Sequence, residues 1–151
     1  MIDDLYSARI LMLAANLPHA GRLAAPEGTG ERVAKLCGSR ATVDVTLDEA
    51  GRVEDFAQDV KACALGQAAA GVLGQHAIGA SVQEIMEARD AVFAMLKAGG
   101  DGPSGRFEDL RVLKQVADYP ARHASTLVAV EATLEAVNAA LAARTRLAGA
   151  A

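Results

Sequence analysis

The chain has 151 residues, 52% of them hydrophobic and 23% charged, with 15 Lys and Arg against 19 Asp and Glu. This is one ordinary domain, residues 1–151, with enough apolar mass for a core, which excludes disorder and collagen-like repeats. A net charge of −4, 3% aromatics and 2 Cys argue against a general nucleic-acid binder, a single-strand stacking platform and a disulfide-stapled secreted scaffold.

Met1-Ile2-Asp3-Asp4 places no basic stretch ahead of an apolar run, so it does not read as a signal peptide. The Ala-rich stretches are interrupted by charges, Gln and His, so no membrane span is expected and the cytoplasm, with free thiols, is the expected compartment. Ile2, Tyr6, Ile10, Leu13 and Leu17 are spaced four, four, three and four, which predicts a helix starting at Asp3-Asp4 and ended by Leu17-Pro18-His19-Ala20-Gly21. Residues 22–31, with Pro26, Gly28 and Gly30, read as a loop, and Arg32 to Cys37 as a short strand turned by Gly38-Ser39. Ala41, Val43, Val45 and Leu47 alternate with Thr42, Asp44 and Thr46, the period-two pattern of a half-buried strand. Asp48-Glu49-Ala50-Gly51 reads as a hairpin connection, and Phe56, Gln58, Val60 and Ala62 alternate again, so 52–61 is a third strand.

From Cys63 the period changes to that of a helix carrying Leu65, Ala69, Val72, Leu73 and His76 on one face. Ser81-Val82-Gln83-Glu84 is a capping box that starts another helix. Asp90 is expected to cap a further one, which carries Val92, Phe93 and Leu96 and stops at Gly99-Gly100. Gly99 to Gly105 reads as a loop. Phe107, Leu110, Leu113 and Val116 mark a short helix before Tyr119-Pro120. Leu127, Val130, Leu134, Val137 and Leu141 predict a long helix with a narrow apolar seam, its end at 148–151 frayed. The order implies an α+β fold: a three-stranded antiparallel sheet with helices packed on one face, an N-terminal helix and a long C-terminal helix.

Cys37 and Cys63 sit at element boundaries, and a helix N-terminus beside Cys63 favours thiolate, the form that binds metal or attacks sulfur. Read from spacing alone, without a CxxC, both read first as small buried hydrophobes. His123, at the start of the long helix, is of a type that joins thiolates around Zn or Fe, although a lone His there is more often a capping or surface residue. His19 and His76 read as a loop residue and a helix residue. Gly28-Thr29-Gly30 and Gly99-Gly100-Asp101-Gly102 lack the context of a nucleotide loop. Ser125 with His123 lacks a nucleophile elbow, Glu84, Glu87, Arg89 and Asp90 read as a solvated face, and Arg122 as a solvated cation. No catalytic residue is assigned.

These segments resemble the NifU/IscU/SufU iron–sulfur cluster scaffold family over about residues 3–140. Leu5-Tyr6 with Ile10 and then Leu17-Pro18-His19-Ala20-Gly21 is similar to its opening helix and Asn-Pro-x-x-x-Gly stretch. Cys37-Gly38-Ser39 is similar to Cys-Gly-Asp, and Lys61-Ala62-Cys63-Ala64-Leu65-Gly66-Gln67-Ala68 to the second cysteine segment. Gly79 to Ile85 resembles Gly-Lys-Ser-x-x-Glu, and Tyr119 to Leu127 the segment ending Cys-Ala-Thr-Leu. The stretch 99–114 is more like the SufU branch. The chain departs from the pattern at Ser39, which stands at the Asp position, and at Ala124, which stands at the third cysteine. The resemblance implies Cys37 and Cys63, with His123 as a third candidate, as ligands of iron, an iron–sulfur cluster or zinc, within one chain or shared between two. It implies a scaffold or carrier rather than an enzyme, with a cysteine desulfurase and iron–sulfur acceptor proteins as partners. Sulfur acceptance from a desulfurase, with Cys63 as the reactive thiol, and a metal-free partner-binding module are the alternatives. Homo-oligomerisation stays open.

Overall fold

Ser7 starts the first described helix by accepting a hydrogen bond from the Ile10 amide, and α1 runs Ala8–Ala15 with Ile10 and Leu13 buried. The computed structural model describes residues 6–150, so the expected helix start at Asp3-Asp4 and the positions Ile2 and Leu5 lie outside the described residues. Three antiparallel strands follow in the order β1 (Gly28–Ala34), β2 (Ser39–Leu47) and β3 (Val53–Lys61). Then come α2 (Ala64–His76), α3 (Val82–Ala98), a 3₁₀ helix at Gly105–Asp118, a single 3₁₀ turn at Pro120–Arg122, and α4 (His123–Ala150). The α+β order expected from the sequence is the order observed.

The first strand begins earlier than its glycines suggest. Gly28 pairs with Val45 and Gly30 with Val43, so both glycines lie on the core face of the sheet. A Cβ on Gly28 would fall 2.1 Å from the Ala136 carbonyl oxygen, and one on Gly30 would fall 2.2 Å from that of Ala132. The expected loop at 22–31 is therefore half strand: these glycines let the α4 backbone settle directly on β1. By the same register Cys37 is not a strand residue, because Ala34 and Ser39 close the hairpin and Lys35 to Gly38 form its turn.

β2 is covered on both faces rather than half buried. Ala41, Val43 and Val45 meet the helical layer, while Thr42 and Asp44 on the opposite face are also buried. Asp44 receives Arg22 Nε at 2.7 Å, Arg22 Nη2 at 3.1 Å, the Leu23 amide at 3.0 Å and Thr29 Oγ1 at 2.6 Å. The segment after α1 is thus tied across the outer face of the sheet. Asp48 closes the β2–β3 hairpin by accepting from the Ala50 and Arg52 amides, each at 2.9 Å.

Ser81 and Glu84 make the reciprocal capping box, and Gly99 ends α3 with φ 74°. Asp90 caps nothing, because residues 82–98 form one uninterrupted helix in which Asp90 lies mid-way and pairs with Arg89 at 3.1 Å. The run Ala88 to Lys97 contains no Gly or Pro to break it, and interior continuity outweighs one weak helix former. Phe107, Leu110, Leu113 and Val116 are all buried, and their uniform spacing of three is the period of a 3₁₀ helix, whose side chains eclipse every third residue. The seam on α4 is broader than predicted: Val128, Ala129, Ala132, Thr133, Ala136 and Ala140 are buried beside Leu127, Val130 and Val137. Pro120–Gly149 is long and apolar enough to cross a membrane, but more than half of its most apolar window is buried inside the protein, which is the environment of a core helix. Arg144 ties the far end of α4 to the sheet through the Glu27 carboxylate and the Leu47 and Asp48 carbonyls, at 2.6 Å and 2.7 Å for the latter two.

Candidate functional site

Cys37 occupies the β1–β2 turn, ahead of Gly38 at φ 72°, and is exposed. Its Sγ lies 3.0 Å from Ser39 Oγ. The Ser39 hydroxyl, then the Ser39 backbone amide, hold the Cys37 thiol below the ordinary thiol range against an opposing effect of burial that exceeds the contribution of the Ser125 hydroxyl. These donors stabilise the thiolate, so Cys37 is exposed and disposed to ionise.

Cys63 is the N-cap residue of α2, and its side chain makes no capping hydrogen bond. It is free to point elsewhere, and its Sγ donates to Ser125 Oγ at 3.6 Å. Gly66 makes this approach possible. A Cβ there would sit 2.8 Å from the Ser125 carbonyl oxygen, so the first turn of α2 is pressed against the first turn of α4. Ser125 is buried and its hydroxyl donates to the Arg122 carbonyl at 3.1 Å. A hydroxyl has one proton and two lone pairs, so it can accept from Cys63 while its proton goes to the Arg122 carbonyl.

His123 takes a different position. It begins α4, is 4% exposed, and its Nε2 stands 3.0 Å from the Val116 carbonyl and 3.1 Å from that of Ala117. Two acceptors require the proton on Nε2, so the ring ties the end of the 3₁₀ helix to α4 and leaves Nδ1 as its one free nitrogen. Nδ1 is buried and has no hydrogen-bond partner. Ala124 is exposed and offers no ligand.

The structure thus sets Cys37 beside Ser39 and Cys63 beside Ser125, with His123 two residues before Ser125 on α4. Among the described residues, no group of three or more His, Cys, Asp or Glu side chains is close enough together to hold a metal ion. Sequence reasoning weighed Ser125 only as half of a Ser/His pair, yet it is the residue the Cys63 sulfur meets. Its one signal was a small hydroxyl in the first turn of a helix. The remaining histidines are bound elsewhere: His76 Nε2 meets Asp109 at 3.1 Å, and the His19 ring stands edge-on to Phe56. Glu84 is no free solvated carboxylate, since Arg52 and Arg106 pair with it at 3.1 Å and 3.0 Å. A 400 Å³ cleft beside it, lined by Glu87, Ser104, Arg106 and Phe107 among others, includes neither thiol.

With this arrangement in view, residues 5–126, which include Cys37, Cys63, His123 and Ser125, match the NifU-like N terminal domain. The chain belongs to that family. This NifU-like domain superposes on the crystal structure of a nitrogen-fixing NifU-like protein (N-terminal) from Brucella abortus with a TM-score of 0.90 and 45% identity, over 93% of this chain and 97% of that one. The crystal structure of a putative iron-sulfur cluster assembly scaffold protein for the SUF system from Fervidobacterium islandicum AW-1 has the same fold at 21% identity. Its TM-score is 0.79, over 88% of this chain and 96% of the other. No curated protein matches the sequence. The family match ends within the first turn of α4, so the helix that seals the sheet of this NifU-like domain extends beyond the matched segment.

Proposed function

We propose that this NifU-like domain is a scaffold or carrier in iron–sulfur cluster assembly, with iron or a cluster as its cargo, or zinc in the same place. The observation that carries the reading is a pair of free thiols, Cys37 on the exposed β1–β2 turn beside Ser39 and the half-buried Cys63 at the start of α2 beside Ser125, in the segments that match the family. Two thiolates are half of the four-ligand set that iron or zinc prefers. His123 Nδ1, sulfide, or the thiol pair of a second copy would supply the rest. Such an incomplete set suits a protein that binds and releases rather than one that keeps its metal. On this reading the partners are a cysteine desulfurase and acceptor proteins, and the compartment is the cytoplasm. Anaerobic reconstitution with iron and sulfide is expected to give a visible chromophore that is lost in Cys37→Ala and in Cys63→Ala. A colourless, folded product would overturn the reading and favour the metal-free partner-binding module.

A second reading has its own support. Cys37 is the exposed thiol and is favoured toward thiolate, which makes it a better acceptor for sulfur from a desulfurase than the half-buried Cys63 that the helix end suggested. Mass spectrometry after incubation with a desulfurase and cysteine is expected to find added sulfur on Cys37. Sulfur on neither thiol counts against it.

A further inference from the structure

The outer face of the sheet ends, beside the turn that carries Cys37, in a row of like charges. Val33 stands opposite Arg40, and Arg40 opposite Lys61, so the three share one face, one register step from the turn. Like charges directly opposite across two strands destabilise a sheet. Neighbouring arginines are all paired: Arg22 with Asp44 at 2.7 Å, Arg32 with Glu135 at 3.0 Å and Arg52 with Glu84 at 3.1 Å. Among the described residues Arg40 and Lys61 have no ion-pair partner. The next row of the same face holds Glu31 and Asp59 on either side of Thr42, and Glu31 accepts from the Thr42 hydroxyl at 2.9 Å. The turn adds another exposed cation, Lys35, and an apolar side chain that stands in water, Leu36 at 82% exposure, with Val33 at 52% behind it. In a chain of net charge −4, the run from Arg32 to Val43 contains no carboxylate.

We propose that this corner is a docking surface for a protein partner whose own face is acidic around an apolar socket. Lys35, Arg40 and Lys61 meet the carboxylates, and Leu36 enters the socket. Charge complementarity decides the occupant. Two opposed cations without counter-charges cost the fold stability, and an acidic partner supplies the counter-charge that the fold does not. Leu36 and Val33 beside these cations give the apolar centre and polar rim of a protein interface. An anionic bilayer fits less well, because Glu31 and Asp59 in the next row and the net negative charge of the chain oppose it. A partner seated here covers the turn and so confronts Cys37. The inference rests on the scaffold reading for its purpose only, which is to bring a donor or acceptor to that thiol.

The test uses the reduced full chain and follows iodoacetamide modification of Cys37 by mass spectrometry. Three synthetic peptides of equal length are the probes: glutamates around a central pair of leucines, glutamates alone, and lysines around the same leucines. The acidic peptide with leucines is expected to slow alkylation of Cys37 more than glutamates alone, and the lysine peptide to leave it unchanged. The protection is expected to disappear in about 0.5 M salt, where exposed charges are screened. Arg40→Gln and Lys61→Gln are each expected to weaken it about threefold, and Leu36→Ser to abolish the advantage of the leucines. Both charge variants are expected to keep or raise the urea midpoint of the parent, since each removes a like-charge pair. A lowered midpoint would show that the fold itself uses the cation and would overturn the proposal. No protection by either acidic peptide, or protection that survives both substitutions, would overturn it too. So would binding to phosphatidylglycerol vesicles that the same substitutions abolish. Iron and sulfide reconstitution separates the two ideas. A chromophore without peptide protection sinks this inference alone, and protection without a chromophore sinks the scaffold reading alone.

Discussion

Two polar clusters flank the same sheet and are built in opposite ways. On its outer face Asp44 is fully buried and accepts four hydrogen bonds from Arg22, Leu23 and Thr29. At the β1–β2 turn and the starts of α2 and α4, two sulfurs each meet one small hydroxyl, one imidazole nitrogen has no partner, and Cys37 faces solvent. A carboxylate with every lone pair engaged is a joint, because any change leaves something unpaired. Sulfurs with weak, exchangeable partners keep capacity for a ligand or a reaction. The comparison teaches where substitutions should damage the fold and where they should damage only the chemistry.

The largest effect is expected where the framework has no slack. Gly30→Val would place side-chain carbon against the α4 backbone at Ala132, and overpacking there is expected to cost about 3 kcal/mol or more in urea unfolding. A well-folded variant of unchanged midpoint would show that α4 sits less tightly on β1 than the structure has it.

Asp44→Ala comes next, at about 2–3 kcal/mol near neutral pH. Burial alone pushes the Asp44 carboxyl up, but hydrogen bonds from Arg22, Thr29 and the Leu23 amide, with the Arg22 charge, pull it below the usual carboxylate range. Its folded pKa lies below its unfolded value of about 3.9. The contribution is therefore fully present above about pH 4 and lost as pH falls through the lower folded value. Unfolding curves of the two proteins are expected to separate at pH 7 and to converge in acid. A gap that widens in acid would contradict the assignment. Thiol alkylation in folded Asp44→Ala should match that of the parent chain.

The smallest stability effect belongs to the thiol rim. Cys37→Ala is expected to move stability by no more than about 0.5 kcal/mol, as for other exposed positions. The chemistry there should respond instead. Iodoacetamide is expected to modify Cys37 ahead of Cys63 at pH 7, and Ser39→Ala to move the alkylation profile of Cys37 to higher pH, because the Ser39 hydroxyl contributes most to its thiolate. An unmoved profile would show that the turn, not Ser39, sets the reactivity of Cys37.

Much of this was written in local pattern. The alternation from Ala41 to Leu47, the capping box at Ser81 and the order of strands before helices needed only period and cap chemistry. The three-residue spacing from Phe107 to Val116 carried the 3₁₀ helix as well, though it reads as an ordinary helix until packing shows each of the four buried. Asp90 misled because helix capping depends on where neighbouring backbone is already helical, which one residue type does not reveal. Gly28 and Gly30 misled because a glycine needed for close approach looks, in sequence, like a glycine needed for a turn. The site divides in the same way. Cys37 and Cys63 were legible as a pair because the order of segments around them is a family order. Ser125 was not legible as the partner of Cys63, since that contact joins residues 62 positions apart.

By itself, then, the sequence determined the elements, their order and the two thiols, because these follow from interactions within a few residues along the chain. Only the tertiary structure decided that α4 lies on glycine backbone, that Asp44 is a buried joint, that His123 spends one nitrogen on backbone carbonyls, and that the Ser125 hydroxyl meets the Cys63 sulfur. Those outcomes depend on which distant surfaces are pressed together, and backbone contact through glycine leaves no side-chain pattern to read.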